Sequence, residues 1–84
     1  MYRLEIRNQA RKQILQIPPP HFLRIQKSIE GLAQNPRPAG SIQLKGETGY
    51  RVRVGDYRIL YEIDDMTERV IIYRVKHRRE VYRD

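Results

Sequence analysis

Arg51, Arg53 and Arg58 flank the dipeptide Gly55-Asp56 within a stretch rich in Val, Ile and Tyr. A two-residue loop that begins with glycine suits a type II′ hairpin. That loop predicts a register in which Val54 faces Tyr57, Arg53 faces Arg58 and Val52 faces Ile59. Side chains two apart on a strand share a face, so Arg51, Arg53 and Arg58 gather on one side. Tyr50, Val52, Val54, Tyr57, Ile59 and Tyr61 take the other side and can pack on helices. Like charges set directly opposite destabilise a hairpin by up to about 1 kcal/mol. Pairing Arg53 with Arg58 therefore implies a compensating anion. Guanidinium groups bind phosphate and carboxylate bidentately, so the chemistry on offer is anion binding and stabilisation of developing negative charge. A solvated sheet face would explain one such arginine; three together, with an opposed pair, favour the anion site. Glu62 and Leu60 share this face and temper its charge.

The run Lys76-His77-Arg78-Arg79-Glu80-Val81-Tyr82-Arg83-Asp84 follows the last strand-like segment. It adds bases, one imidazole and one phenol near a sheet edge. His77 belongs to the residue type that changes charge near neutral pH. Tyr82 is the tyrosine surrounded by charges, and a phenol among arginines gives up its proton more easily than usual. A fraying basic terminus is the bland alternative, but Val81 and Tyr82 give the segment something to dock with. His21, after Pro18-Pro19-Pro20, reads as an exposed residue at a helix start.

The elements that must position these groups follow from periodicity. Tyr2, Leu4 and Ile6 alternate with Arg3, Glu5 and Arg7, the period of a half-buried strand. Asn8 offers an N-cap, and Ala10, Ile14, Leu15 and Ile17 predict a short amphipathic helix that stops at the prolines. Phe22, Ile25, Ile29, Leu32 and Ala33 recur at helical spacing, and Asn35-Pro36 closes that helix. Ile42 and Leu44 suggest a short strand. Gly49 to Val54, Tyr57 to Ile63 and Arg69 to Val75 read as strands in hairpins. Tyr2, Tyr50, Tyr61 and Tyr73 read as core or sheet-packing aromatics. The order predicts one α+β domain over residues 1–84. Its N-terminal strand and helical hairpin pack on an antiparallel sheet, and a short C-terminal helix or tail follows.

Composition narrows the partners. Seventeen Lys plus Arg against ten Asp plus Glu give a net charge of +7 over 84 residues, and thirteen of the seventeen are Arg. That bias points to nucleic acid, an acidic protein, or both. There is no cysteine, which excludes disulfides, thiolate zinc sites and a cysteine nucleophile, and makes a reducing cytoplasm the expected location. His21 and His77 lack helical spacing to each other, so no metal site is expected. No apolar run approaches the roughly 20 residues that span a bilayer. Met1 to Glu5 carries no signal-peptide segment.

At these residues the chain resembles a known family. Leu44-Lys45-Gly46 and Gly49-Tyr50-Arg51-Val52-Arg53-Val54-Gly55-Asp56-Tyr57-Arg58-Ile59-Leu60-Tyr61-Glu62-Ile63 are similar to the central hairpin of RelE/ParE-superfamily toxins. Val75-Lys76-His77-Arg78-Arg79-Glu80-Val81-Tyr82 resembles the ending of the RelE branch, and Asn35-Pro36 also matches. The resemblance spans essentially the whole chain and implies a RelE-like fold. It further implies a toxin of a type II toxin–antitoxin module that cuts mRNA in the ribosomal A site without a cofactor or metal. Its implied partners are the ribosome, mRNA and an acidic RelB-like antitoxin, with no role for a membrane. The implied catalytic set is Arg51, Arg53, Arg58, His77, Arg78 and Tyr82, with Lys45, Lys76, Arg79 and Arg83 on RNA or ribosome. One departure is that Arg51 and Arg53 stand where well-known RelE toxins carry Lys. Arginine does not readily deprotonate, so Arg53 is a poor general base.

RNA carries its own nucleophile, the 2′-hydroxyl, whose attack on the adjacent phosphate leaves a 2′,3′-cyclic phosphate. The protein must orient that attack, remove a proton, stabilise the phosphorane and protonate the leaving 5′-oxygen. The arginines supply the electrostatic part, and His77 or Tyr82 supplies the base. Such a set is weak without a ribosome to position the substrate. Two other readings stay open: a ParE-like gyrase inhibitor, and a non-catalytic basic module that binds RNA or protein.

Overall fold

The computed structural model describes residues 1–46 and 48–77. The chain runs β1 (Arg3–Ile6), α1 (Asn8–Leu15), α2 (His21–Gln34), β2 (Ile42–Gln43), β3 (Tyr50–Val54), β4 (Tyr57–Asp64) and β5 (Arg69–His77). These strands form one sheet in the order β1-β5-β4-β3-β2. The hairpins from β2 to β5 are antiparallel, as alternation and turn chemistry predict. The N-terminal strand differs from a purely antiparallel sheet: β1 pairs parallel with β5, Leu4 beside Val70 and Ile6 beside Ile72. The connection between these strands runs through both helices and then β2, β3 and β4, and a parallel pair requires a long connection.

Helix α1 begins one residue earlier than the Asn8 cap implies. Arg7 is its N-cap, in extended conformation, because the Arg7 N–H still donates to the Ile72 carbonyl at 2.9 Å. The strand therefore passes directly into the helix, and Asn8 is helical. Helix α2 ends as predicted, with Asn35 extended at its C-cap and Pro36 behind it. Ala10, Ile14, Ile25, Ile29 and Leu32 of the helices meet Val52, Ile59, Tyr61, Val70, Ile72 and Val75 of the sheet in one core. Tyr61 is fully buried, and its hydroxyl donates to the Pro36 carbonyl at 2.7 Å. That bond answers the polar end of a buried ring and ties the loop after α2 to β4.

Two glycines are required by geometry. Gly55 has φ +60 and Asp56 has no positive φ, the pattern of the II′ turn. Gly49, at φ +107, leaves no room for a side chain, since a Cβ there would run into the Tyr61 carbonyl. Close backbone approach at Gly49 thus starts β3 and phases the arginines that follow.

Candidate phosphate-binding face

The β3–β4 register is the one the hairpin chemistry predicts: Val54 opposite Tyr57, Arg53 opposite Arg58, Val52 opposite Ile59. Strand β5 extends both arginine positions into rows. Arg58 pairs onward with Lys76, and Leu60 with Arg74. One row across three strands is therefore Arg53–Arg58–Lys76. The next is Arg51–Leu60–Arg74, with Ile42 of β2 beside Arg51. Arg51, Arg53, Arg58 and Lys76, all singled out from the sequence, come together on the face opposite the helices.

Arg74 is the residue that sequence reasoning missed. Unbroken alternation along β5 from Val70 and Ile72 puts Arg74 on the helix side. A β-bulge intervenes: Tyr61 pairs with Ile72 but Leu60 pairs with Arg74, which leaves Tyr73 as the extra residue. The bulge re-phases the strand. Val75 then joins the core, while Arg74 turns to the basic face. The 70, 72, 75 spacing of apolar residues is the one sequence signal that could have revealed it. Tyr73, expected as a core or sheet-packing aromatic, is half-buried and donates its hydroxyl to the Thr48 carbonyl at 3.2 Å. It helps to wall an open depression of about 440 Å³ lined also by Thr48, Leu60, Glu62 and Arg74.

Leu60 lies among these charges yet is only 8% exposed. Burial beside it has a polar consequence. Arg51 Nη1 and Arg74 Nε are withdrawn from solvent and have no hydrogen-bond partner among the described residues. Glu62 does have one, because the Thr48 hydroxyl donates to Glu62 Oε2 at 2.7 Å.

His77 is not brought to the arginines. It pairs with Tyr57 and meets that ring edge-on at 5.0 Å, on the helix side of the sheet. Tyr57 also touches His21, with centroids 5.7 Å apart, so His21 is half-buried rather than the exposed helix start expected for it. Lys45 is exposed in the loop between β2 and β3, outside either row. Arg78, Arg79, Tyr82 and Arg83 lie outside the described residues, as does the expected C-terminal helix or tail.

The far end of the sheet has a different electrostatic character. Arg69 bridges Glu5 at 2.9 Å and Asp64 at 3.2 Å. Arg37 meets Asp65 at 2.9 Å, donates to the Tyr50 hydroxyl and lies over the Tyr50 ring. Hydrogen bonds from Thr67, then from Arg69, hold the Asp64 carboxyl below the usual carboxylate range. Arg37 and then Tyr2 do the same for Asp65, and its bond in turn pushes the Tyr2 phenol up. Bases pair with acids near the β4–β5 turn, and the strand register at the Gly55 end sets Arg53, Arg58 and Lys76 side by side. An anion arriving at the sheet is drawn to that end.

A sequence model described as ParE toxin of type II toxin-antitoxin system, parDE, matches residues 4–82. The toxin RelE1 of Methanocaldococcus jannaschii is 34% identical over 85 residues, spanning 94% of this chain and 91% of that protein. Toxin RelG of Mycobacterium tuberculosis is 32% identical over 84 residues, or 98% and 97% of the two chains. The toxin in the RelE–RelB complex of Pyrococcus horikoshii matches with a TM-score of 0.81 at 30% identity, over 92% of this chain and 94% of that one. A five-stranded α+β fold with this likeness defines the class: a toxin of a type II toxin–antitoxin system. Within that class the chain belongs to the RelE/ParE family and is RelE-like.

Proposed function

We propose that this toxin is a ribosome-dependent endoribonuclease that cuts mRNA in the decoding A site. The observation that carries the reading is the row Arg53–Arg58–Lys76, three bases abreast on the sheet face opposite the helices. A phosphodiester turning into a phosphorane gains negative charge, which a row of three bases is suited to hold. Arg53 and Arg58 hold that charge, with Arg51 behind them. Lys76 faces the same group from β5 and can donate a proton to the leaving 5′-oxygen. His77 lies across the sheet against Tyr57, so the base role goes to Tyr82, with Arg78 as a further phosphate contact. The 2′-hydroxyl is the nucleophile, and neither cofactor nor metal takes part. Lys45, Arg79 and Arg83 add contacts to RNA or ribosome.

The other partner is an acidic RelB-like antitoxin that covers the basic face, in a cytoplasm that holds toxin, antitoxin and ribosomes together. Support comes from the RelE–RelB pairing in the Pyrococcus horikoshii complex and from the net charge of +7. Among the described residues no helix is long and apolar enough to cross a membrane. One observation favours a second reading, inhibition of gyrase, because the matching family description is that of ParE. Incubation with translating ribosomes, followed by mapping of mRNA 3′ ends, separates the two. Cuts within A-site codons support the ribonuclease; intact mRNA with gyrase-linked DNA breaks supports the alternative.

A further inference from the structure

Behind the Arg53–Arg58–Lys76 row stands a second pair of guanidiniums. Arg51 on β3 and Arg74 on β5 flank Leu60 from opposite sides. Each keeps one buried N–H group, Arg51 Nη1 and Arg74 Nε, without a partner among the described residues. Buried donors are almost always satisfied, and a charged one left alone is among the most unfavourable arrangements in a fold. Two such donors on one row call for a shared anionic acceptor. Leu60, nearly buried between them, makes an apolar floor that keeps water out and strengthens a charge-assisted contact.

Spacing identifies the anion. The two rows are two residues apart along each strand, about 7 Å. Successive phosphates of an extended polynucleotide are separated by a comparable distance. The following position on β4 is Glu62, its carboxylate held by Thr48, and it repels a third phosphate. The basic track therefore accommodates two phosphates and stops.

We propose that Arg51 and Arg74 form a second phosphate-binding subsite, which holds the RNA phosphate adjacent to the one being cleaved. The choice of RNA rests on the ribonuclease reading; the pairing of the two arginines does not. Arg74 is a positioning residue, since it acts on the neighbouring phosphate and so sets where the reacting one lies. A chain gripped at both phosphates has one direction across the sheet, with its next phosphate turned away by Glu62.

The test uses the intact toxin and 2′-O-methyl UpUpU, which cannot be cleaved. Two further probes replace one or the other phosphate by a neutral methylphosphonate. In the wild-type protein, neutralising either phosphate should weaken binding about tenfold, the size of one charge-assisted contact. With Arg74→Met, one of the two replacements should become silent, and the slope of log affinity on log salt should fall by about 0.7. Arg51→Met should silence the same replacement, and it stands in should Arg74→Met fail to fold. Both replacements still weakening binding to either variant, or a different phosphate going silent for each, would overturn the subsite. Cleavage of ribosomal mRNA by the wild type alongside that result leaves the ribonuclease reading intact. The expected coupling in a protein that never cleaves ribosomal mRNA supports the subsite and removes the ribonuclease.

Discussion

Arg53 offers a test in which stability and activity move in opposite directions. It is exposed and stands directly opposite Arg58 on the antiparallel pair. Like charges so placed oppose pairing by roughly 0.2–1 kcal/mol, and Arg53→Met removes that repulsion while keeping an unbranched stem on the strand. A gain of about 0.5 kcal/mol in a domain of this size raises the melting temperature by roughly 2–4 °C. The gain should shrink in 1 M salt, where the screening length falls to about 3 Å. Activity should fall, because Arg53 faces the group that becomes the phosphorane; losing one such contact lowers rate by about 100-fold or more. Arg53→Lys keeps the charge and should retain much of the cleavage with little change in stability. Thermal melts at 20 mM and 1 M salt, paired with single-turnover cleavage on programmed ribosomes, read both quantities. An unchanged melting temperature at low salt for Arg53→Met would refute the repulsive row. Full cleavage by the same variant would refute the role of Arg53 at the phosphate.

Other outcomes follow from the same structure. Gly49→Ala must relieve both a positive φ and contact with the Tyr61 carbonyl. It should cost about 2 kcal/mol and lower the melting temperature by roughly 10 °C; an unchanged melt would mean that the loop into β3 yields freely. Asp64 and Asp65 have folded pKa values below the ordinary carboxylate value. Their stabilisation is therefore complete above about pH 3.9 and is lost as pH falls through the lower folded values. Melts from pH 7 to 2 should show that loss, and Asp65→Asn should remove part of it; superimposable acid curves would refute it. Tyr82→Phe should abolish most single-turnover cleavage while His77→Gln, altering a ring on the helix side of the sheet, leaves it largely intact. The reverse result would move the base to His77.

How much of this was readable from residues alone depends on the range of each interaction. The β3–β4 hairpin was fully legible, because a Gly-first turn sets register locally and alternation then assigns every side chain to a face. The helical stripes of Ile25, Ile29 and Leu32 were legible for the same reason, since helical periodicity is local. The candidate site was legible only in part. Arg51, Arg53, Arg58 and Lys76 were named and do share a face. Arg74 was not named, and His77 was expected near groups from which the sheet separates it.

Local pattern, then, determined the elements of this toxin, the opposed Arg53 and Arg58, and the apolar face that carries them against the helices. Tertiary structure decided what no local pattern encodes. The parallel pairing of β1 with β5 joins residues 66 positions apart, as with Leu4 and Val70, and no turn between them specifies it. The bulge at Tyr73 arises where β5 must pair with β4 and also turn Ile72 and Val75 into one core. One extra residue satisfies both demands, and the change of phase carries Arg74 to the basic face. Strand periodicity is a property of one strand, but phase across a sheet is set by which strands meet.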